Sequence, residues 1–145
     1  MDIIVRRMTE ADVPYVAALE ASNFSMPWSE QAFFEQLNNE NALYMVAVHN
    51  ETVLGVCGLL KSFEEADICN VSVEHSYRNC GIAARMLRTL MEEGQRKGIA
   101  AFTLEVRVGN HPAIHLYEKL GFVAEGIRPG FYERPKEDAL IMWKR

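Results

Sequence analysis

A mixed α/β fold, one layer of sheet with helices packed against it, is what three features of this 145-residue chain predict. Stretches of alternating apolar and polar residues interleave with stretches of helical period. Capping and turn residues separate them. No repeat, low-complexity tract or linker breaks the series, so residues 1–145 read as one domain, with 49% hydrophobic residues to fill a core.

The elements follow in the order β-α-α-β-β-β-α-β-α-β-β. DIIVRR, residues 2–7, reads as a first strand. Thr9 opens T-E-A-D, a helix cap, and Val13, Val16, Ala17 and Glu20 follow at helical spacing. MPWSEQAFFEQL, residues 26–37, starts a second helix with Ser29 as its cap. LYMVAVHNETVLGVCGLL forms a hairpin of residues 43–49 and 52–60 around a turn near Asn50. A further strand covers residues 66–73. A loop and long helix run from Tyr77 to about Lys97, where Gly98 stops the helix. Residues 101–110, AFTLEVRVGN, are the next strand. HPAIHLYEKLGF follows as a helix with Pro112 at its first position and Gly121 at its end. Residues 122–125 and 138–144 close the fold as a hairpin-like pair joined by the polar segment GIRPGFYERPKED.

Composition removes several functions. The net charge is -5 and the pI about 5.4, with no basic stripe, which argues against nucleic-acid binding. No apolar run approaches the ~20 residues that span a bilayer, and MDIIVRRMTEAD lacks the apolar core of a signal peptide. Cys57, Cys69 and Cys80 are an odd count without metal-ligand spacing. They read as reduced thiols of a cytoplasmic protein, with no metal and no membrane partner expected.

YRNCGIAARML, residues 77–87, joins a strand end, CNVSV, to a helix through a loop containing Gly81. A glycine there admits close backbone approach, and a helix start offers unpaired N–H groups and the positive end of its dipole. That arrangement suits a phosphate, and it also suits an ordinary turn. Cys80 sits in the loop without a recognisable histidine partner and reads as a bystander. Further on, Thr103, Glu105 and Arg107 alternate with Phe102, Leu104 and Val106. Glu105 is either part of a salt-bridged face or a general base in a cleft. Tyr117 shares a helix face with Ala113 and Ile114, as a core residue or as a catalyst.

Arg78-Asn79-Cys80-Gly81-Ile82-Ala83 matches the acetyl-CoA motif of the GCN5-related N-acetyltransferases (GNAT): Arg or Gln, two residues, Gly, one residue, Gly or Ala. The chain resembles that family over essentially its whole length. MPWSE, NVSVEHSYRNCGIA, LEVRVGNHPAIHLYEKLGF and GIRPGFYERPKEDALIM, in this order, are similar to the RimI-type ribosomal-protein-alanine N-acetyltransferases. The resemblance implies a mostly antiparallel mixed sheet. It implies that the backbone of Val71, Ser72 and Val73 pairs with the pantetheine arm of acetyl-CoA. Arg78 and the loop of Asn79, Cys80, Gly81, Ile82, Ala83 and Ala84 would hold the pyrophosphate, and Asn110 would contact the cofactor. Glu105 would be the general base and Tyr117 the general acid. Phe131-Tyr132 stands where relatives often carry two tyrosines.

The implied reaction is direct acetyl transfer from acetyl-CoA to the N-terminal α-amine, an alanine, of a ribosomal protein. The acidic stretches at residues 63–67 and 136–138 offer attraction to a basic substrate chain. Acetylation of lysine or a small amine, and a non-catalytic acyl-CoA-binding module, are the alternatives.

Overall fold

The computed structural model describes residues 2–145. Its strands are β1 (Ile4–Arg7), β2 (Ala42–His49), β3 (Thr52–Ser62), β4 (Glu65–Val73), β5 (Ala101–Arg107), β6 (Val123–Tyr132) and β7 (Glu137–Lys144). Its helices are α1 (Val13–Asn23), α2 (Glu30–Gln36), α3 (Ile82–Arg96) and α4 (His111–Lys119), with short 3-10 turns at Glu10–Asp12 and His75–Tyr77. The order is the one the sequence predicts.

Local chemistry accounts for most boundaries. The backbone N–H and hydroxyl of Thr9 both donate to Asp12 Oδ2, at 2.8 and 3.1 Å, and fix the 3-10 turn that leads into α1. Ser29 Oγ accepts from the Ala32 N–H at 3.1 Å, capping α2. Asn50 and Glu51 take φ of 48° and 67°, the left-handed pair that a two-residue hairpin turn requires. Pro112 falls at the second position of α4 because the helix begins one residue earlier, at His111. Neither position has an intrahelical acceptor, so the missing N–H costs nothing there.

The seven strands form one sheet in the order β1-β2-β3-β4-β5-β7-β6. Only β4 and β5 run parallel; every other neighbouring pair is antiparallel. The last hairpin departs from the sequence reading. β6 continues to Tyr132, through most of the segment expected to be a polar connection. It is the edge strand and most of its residues are exposed, so a polar composition, and even Pro129, is compatible with it.

The sheet has an apolar layer on each face. Leu43, Met45 and Ala47 of β2, Phe102, Leu104 and Val106 of β5, and Met142 of β7 pack with Met86, Leu87 and Leu90 of α3. Tyr44, Val46 and Val48 point the other way, onto Val13, Val16 and Leu19 of α1 and Phe33 of α2. This is the period-two alternation of strands read twice, once per face. Fully buried side chains such as Leu87 and Leu90 contribute about 1.5–3 kcal/mol each. No helix of the described residues is long and apolar enough to cross a membrane.

Candidate active site

β4 and β5 pair over three positions only: Glu65 with Ala101, Ala66 with Phe102, and Asp67 with Thr103. Beyond Asp67–Thr103 the two strands separate. The outer edge of β4 from Ile68 to Val73 therefore has no strand partner, and it faces the second half of β5, which contains Glu105. A parallel sheet opened in this way exposes main-chain N–H and C=O groups that an extended ligand can pair with.

β4 also carries a bulge there. Val56 pairs with Ser72 and Gly58 with Cys69, so β4 has one more residue than β3 between those pairs. Within the bulge Asn70 adopts φ of 59°. Val71 is half-buried, and Ser72 and Val73 are buried. Asn23, at the end of α1, donates to Ser72 Oγ and to the Val73 carbonyl, the latter at 3.1 Å.

The loop after β4 is exposed at Arg78, Asn79, Cys80 and Gly81. Arg78 Nη2 donates to Asn23 Oδ1 at 2.6 Å, tying the loop to α1. Asn79 and Gly81 have φ of 64° and 77°, and Gly81 caps α3. A Cβ on Gly81 would meet no protein atom within 4 Å. Its positive φ is what demands glycine, and the space above it is open. Ile82 is buried, while Ala83 and Ala84 pack half-buried against the core. The first-turn N–H groups of α3 lack intrahelical acceptors and lie next to that space. Cys80 is exposed, its Sγ 3.7 Å from the Arg78 carbonyl.

Glu105 lies past the point of separation, on the face opposite Leu104 and Val106. Arg128 Nε comes within 3.2 Å of its Oε2. The approach is not aligned for hydrogen bonding, and that buried oxygen has no hydrogen-bond partner among the described residues. Tyr117 belongs to the core on the α3 side, so Glu105 and Tyr117 approach from opposite faces of the sheet. The Tyr117 ring packs edge-on against Phe122, with centroids 6.0 Å apart. Its hydroxyl makes no hydrogen bond among the described residues, and burial, then the proximity of Tyr132 and Cys57, pushes its pKa up. Tyr132 feels both sites: burial first and the Glu105 charge second push its hydroxyl up to about 12. Asn110 is exposed and its side chain accepts from the Ala113 N–H at 3.3 Å, capping α4.

Arg107, next along β5, holds the β6–β7 connection. It donates to the carbonyls of Pro135 and Glu133 at 2.8 and 3.1 Å, pairs with Glu137 at 3.2 Å, and lies over the Tyr132 ring. Residues 136–138 are thus near the open end of β5. Residues 63–67 sit at the start of β4, where it pairs with β5, and so lie away from the opening.

The structure adds Glu20, Asn23, Asn70 and Arg128 to the site. Glu20 had a signal: a carboxylate on the apolar stripe of α1, following Val13, Val16 and Ala17. Asn70 and Arg128 had none, since a bulge and a cross-strand pair depend on register.

The sequence matches the family model described as the acetyltransferase (GNAT) family over residues 13–122. The chain belongs to the GNAT acetyltransferase family. It is therefore an acetyl-CoA-dependent N-acetyltransferase. A Bacillus subtilis protein, provisionally named a ribosomal protein bS18-alanine N-acetyltransferase, is 38% identical over 96% of this chain and 93% of its own. The Escherichia coli ribosomal protein bS18-alanine N-acetyltransferase is 31% identical over 95% of this chain and 94% of its own. The crystal structure of the Escherichia coli ribosomal-protein-S18-alanine N-acetyltransferase superposes on this acetyltransferase with a TM-score of 0.90, at 30% identity. It covers 99% of this chain and 93% of that one.

Proposed function

We propose that this enzyme acetylates the N-terminal α-amine, an alanine, of a ribosomal protein. What supports the substrate is the naming of the two relatives above, which are similar to it over nearly their whole lengths. What carries the chemistry is the opening between β4 and β5, with a buried carboxylate oxygen of Glu105 on its β5 side that has no hydrogen-bond partner among the described residues.

Acetyl-CoA enters this opening with its pantetheine arm along the free edge of β4 at Val71, Ser72 and Val73. Its pyrophosphate lies on the N–H groups of residues 79–84 at the start of α3, with Arg78 and Asn110 as flanking contacts. The α-ammonium of the acceptor has no lone pair, so it must first lose a proton. Glu105 accepts it, through a water molecule. The amine nitrogen then attacks the thioester carbon, and a main-chain N–H of residues 71–73 donates to the developing oxyanion. As the C–S bond breaks, its electron pair stays on sulfur and Tyr117 supplies the proton, while the nitrogen gives up its second proton, which returns through water to the Tyr117 oxygen; the first proton leaves Glu105 for solvent. Burial keeps the Tyr117 hydroxyl protonated and able to act as a donor.

Incubation with acetyl-CoA and a peptide beginning with alanine tests the reading. CoA release with one acetyl group on the peptide N-terminus is expected. A thermal shift with acetyl-CoA but no CoA release with any amine would make the protein a binding module instead.

A further inference from the structure

A carboxylate in the interior is costly unless donors satisfy it, and Glu20 is 2% exposed with no cationic partner among the described residues. Its two oxygens receive two donors from different parts of the chain. Asn70 Nδ2 donates to Oε1 at 2.6 Å, and the Trp28 backbone N–H donates to Oε2 at 2.5 Å. Trp28 belongs to the connection between α1 and α2. Asn70 is the left-handed residue of the β4 bulge. The other end of the Asn70 amide is held as well, since the Tyr44 hydroxyl donates to Oδ1 at 2.6 Å. Tyr44 reaches it across Gly58, where any Cβ would come within 2.2 Å of the Tyr44 ring.

Burial raises the Glu20 pKa, while the bonds from Asn70 and Trp28 oppose that shift. Both partners are donors, so an amide at this position could satisfy only one of them. We propose that Glu20 is a positioning residue: it ties the α1–α2 connection to the β4 bulge, so that the connection and the N–H groups of Val71, Ser72 and Val73 keep one fixed geometry. The link rests on the transfer reaction proposed above for its consequence in catalysis, and on the structure alone for its existence. A misplacement near 1 Å costs about 10²-fold in rate, so loss of the link lowers kcat.

Two variants and two readouts test this. Glu20→Gln removes one acceptor. Asn70→Gly keeps a residue suited to positive φ and removes the side chain, which preserves the test if Glu20→Gln does not fold. In the unliganded protein, amide hydrogen exchange of residues 24–28 should accelerate in Asn70→Gly, although Asn70 does not touch the Trp28 amide. Unchanged exchange there overturns the link, whether or not the protein acetylates anything. In turnover, kcat at saturating acetyl-CoA should fall by about 10–10²-fold in both variants, with CoA affinity lowered by less than kcat because residues 78–84 still hold the pyrophosphate, and Val16→Ala, buried in the same helix, should keep the wild-type kcat. A wild-type kcat in the variants, a loss confined to KM or to CoA affinity, or an equal kcat loss in Val16→Ala overturns the positioning role. If the wild-type protein acetylates no amine, the reading of its function fails, and the exchange comparison still decides the link.

Discussion

Arg128 Nε stands 3.2 Å from Glu105 Oε2, reaching from the edge strand β6 across β7 to β5. The contact holds the carboxylate by charge, and Oε2 has no hydrogen bond among the described residues. An oxygen held in this way beside an opening in the sheet can take a proton from an acceptor amine or its water. Glu105→Gln should therefore lower turnover by about 10²–10⁴-fold at neutral pH. The defect should shrink as pH rises past about 8, where an α-amine loses its proton unaided. Since Arg128 is half-exposed, the pair contributes about 0–1 kcal/mol and the melting temperature should change little. Wild-type rates at neutral pH in this variant would return Glu105 to a salt-bridged face.

Tyr117→Phe separates catalysis from packing. The ring fills the core beside Phe122, and the hydroxyl makes no hydrogen bond among the described residues. Removing it should leave the melting temperature equal or slightly higher and lower kcat by about 10² or more. A destabilised protein with normal specific activity would contradict the acid role.

Gly81 and Gly98 form a matched pair at the two ends of α3. Their φ values are 77° and 89°, and a Cβ on either would meet no protein atom within 4 Å. Alanine at either position should cost about 1–2 kcal/mol of stability through the backbone alone. Calorimetric titration should show weakened CoA binding for Gly81→Ala only. Equal CoA affinity in both variants would remove the phosphate from the start of α3.

Much of this was legible in the residues. Ser29, the turn at Asn50 and the stop at Gly98 mark element ends by local chemistry, and local chemistry is written in sequence. The start of β6 was legible too, but its continuation from Gly126 to Tyr132 was not, because an exposed edge strand buries too little to show a pattern. The opening between β4 and β5 was not either. It depends on how far two parallel strands stay paired, a property of the sheet rather than of either strand. The loop and helix start at Gly81 stand where the sequence places them, and the glycine has a reason that needs no ligand, because its backbone takes positive φ. Glu20 stood out of place on an apolar stripe, and only the fold shows that its partners are Asn70 and Trp28.

One basic peptide in two forms decides which amine this enzyme acetylates. One form offers a free N-terminal alanine; the other has a blocked N-terminus and offers a lysine. An α-amine has a pKa near 8 and lysine near 10.4, so at pH 7 about a tenth of the former is neutral against about one in a few thousand of the latter. With acetyl-CoA and product detection by mass spectrometry, the free alanine peptide should be acetylated faster by about two to three orders of magnitude. Faster acetylation of the blocked peptide would overturn the α-amine assignment and make the protein a lysine acetyltransferase.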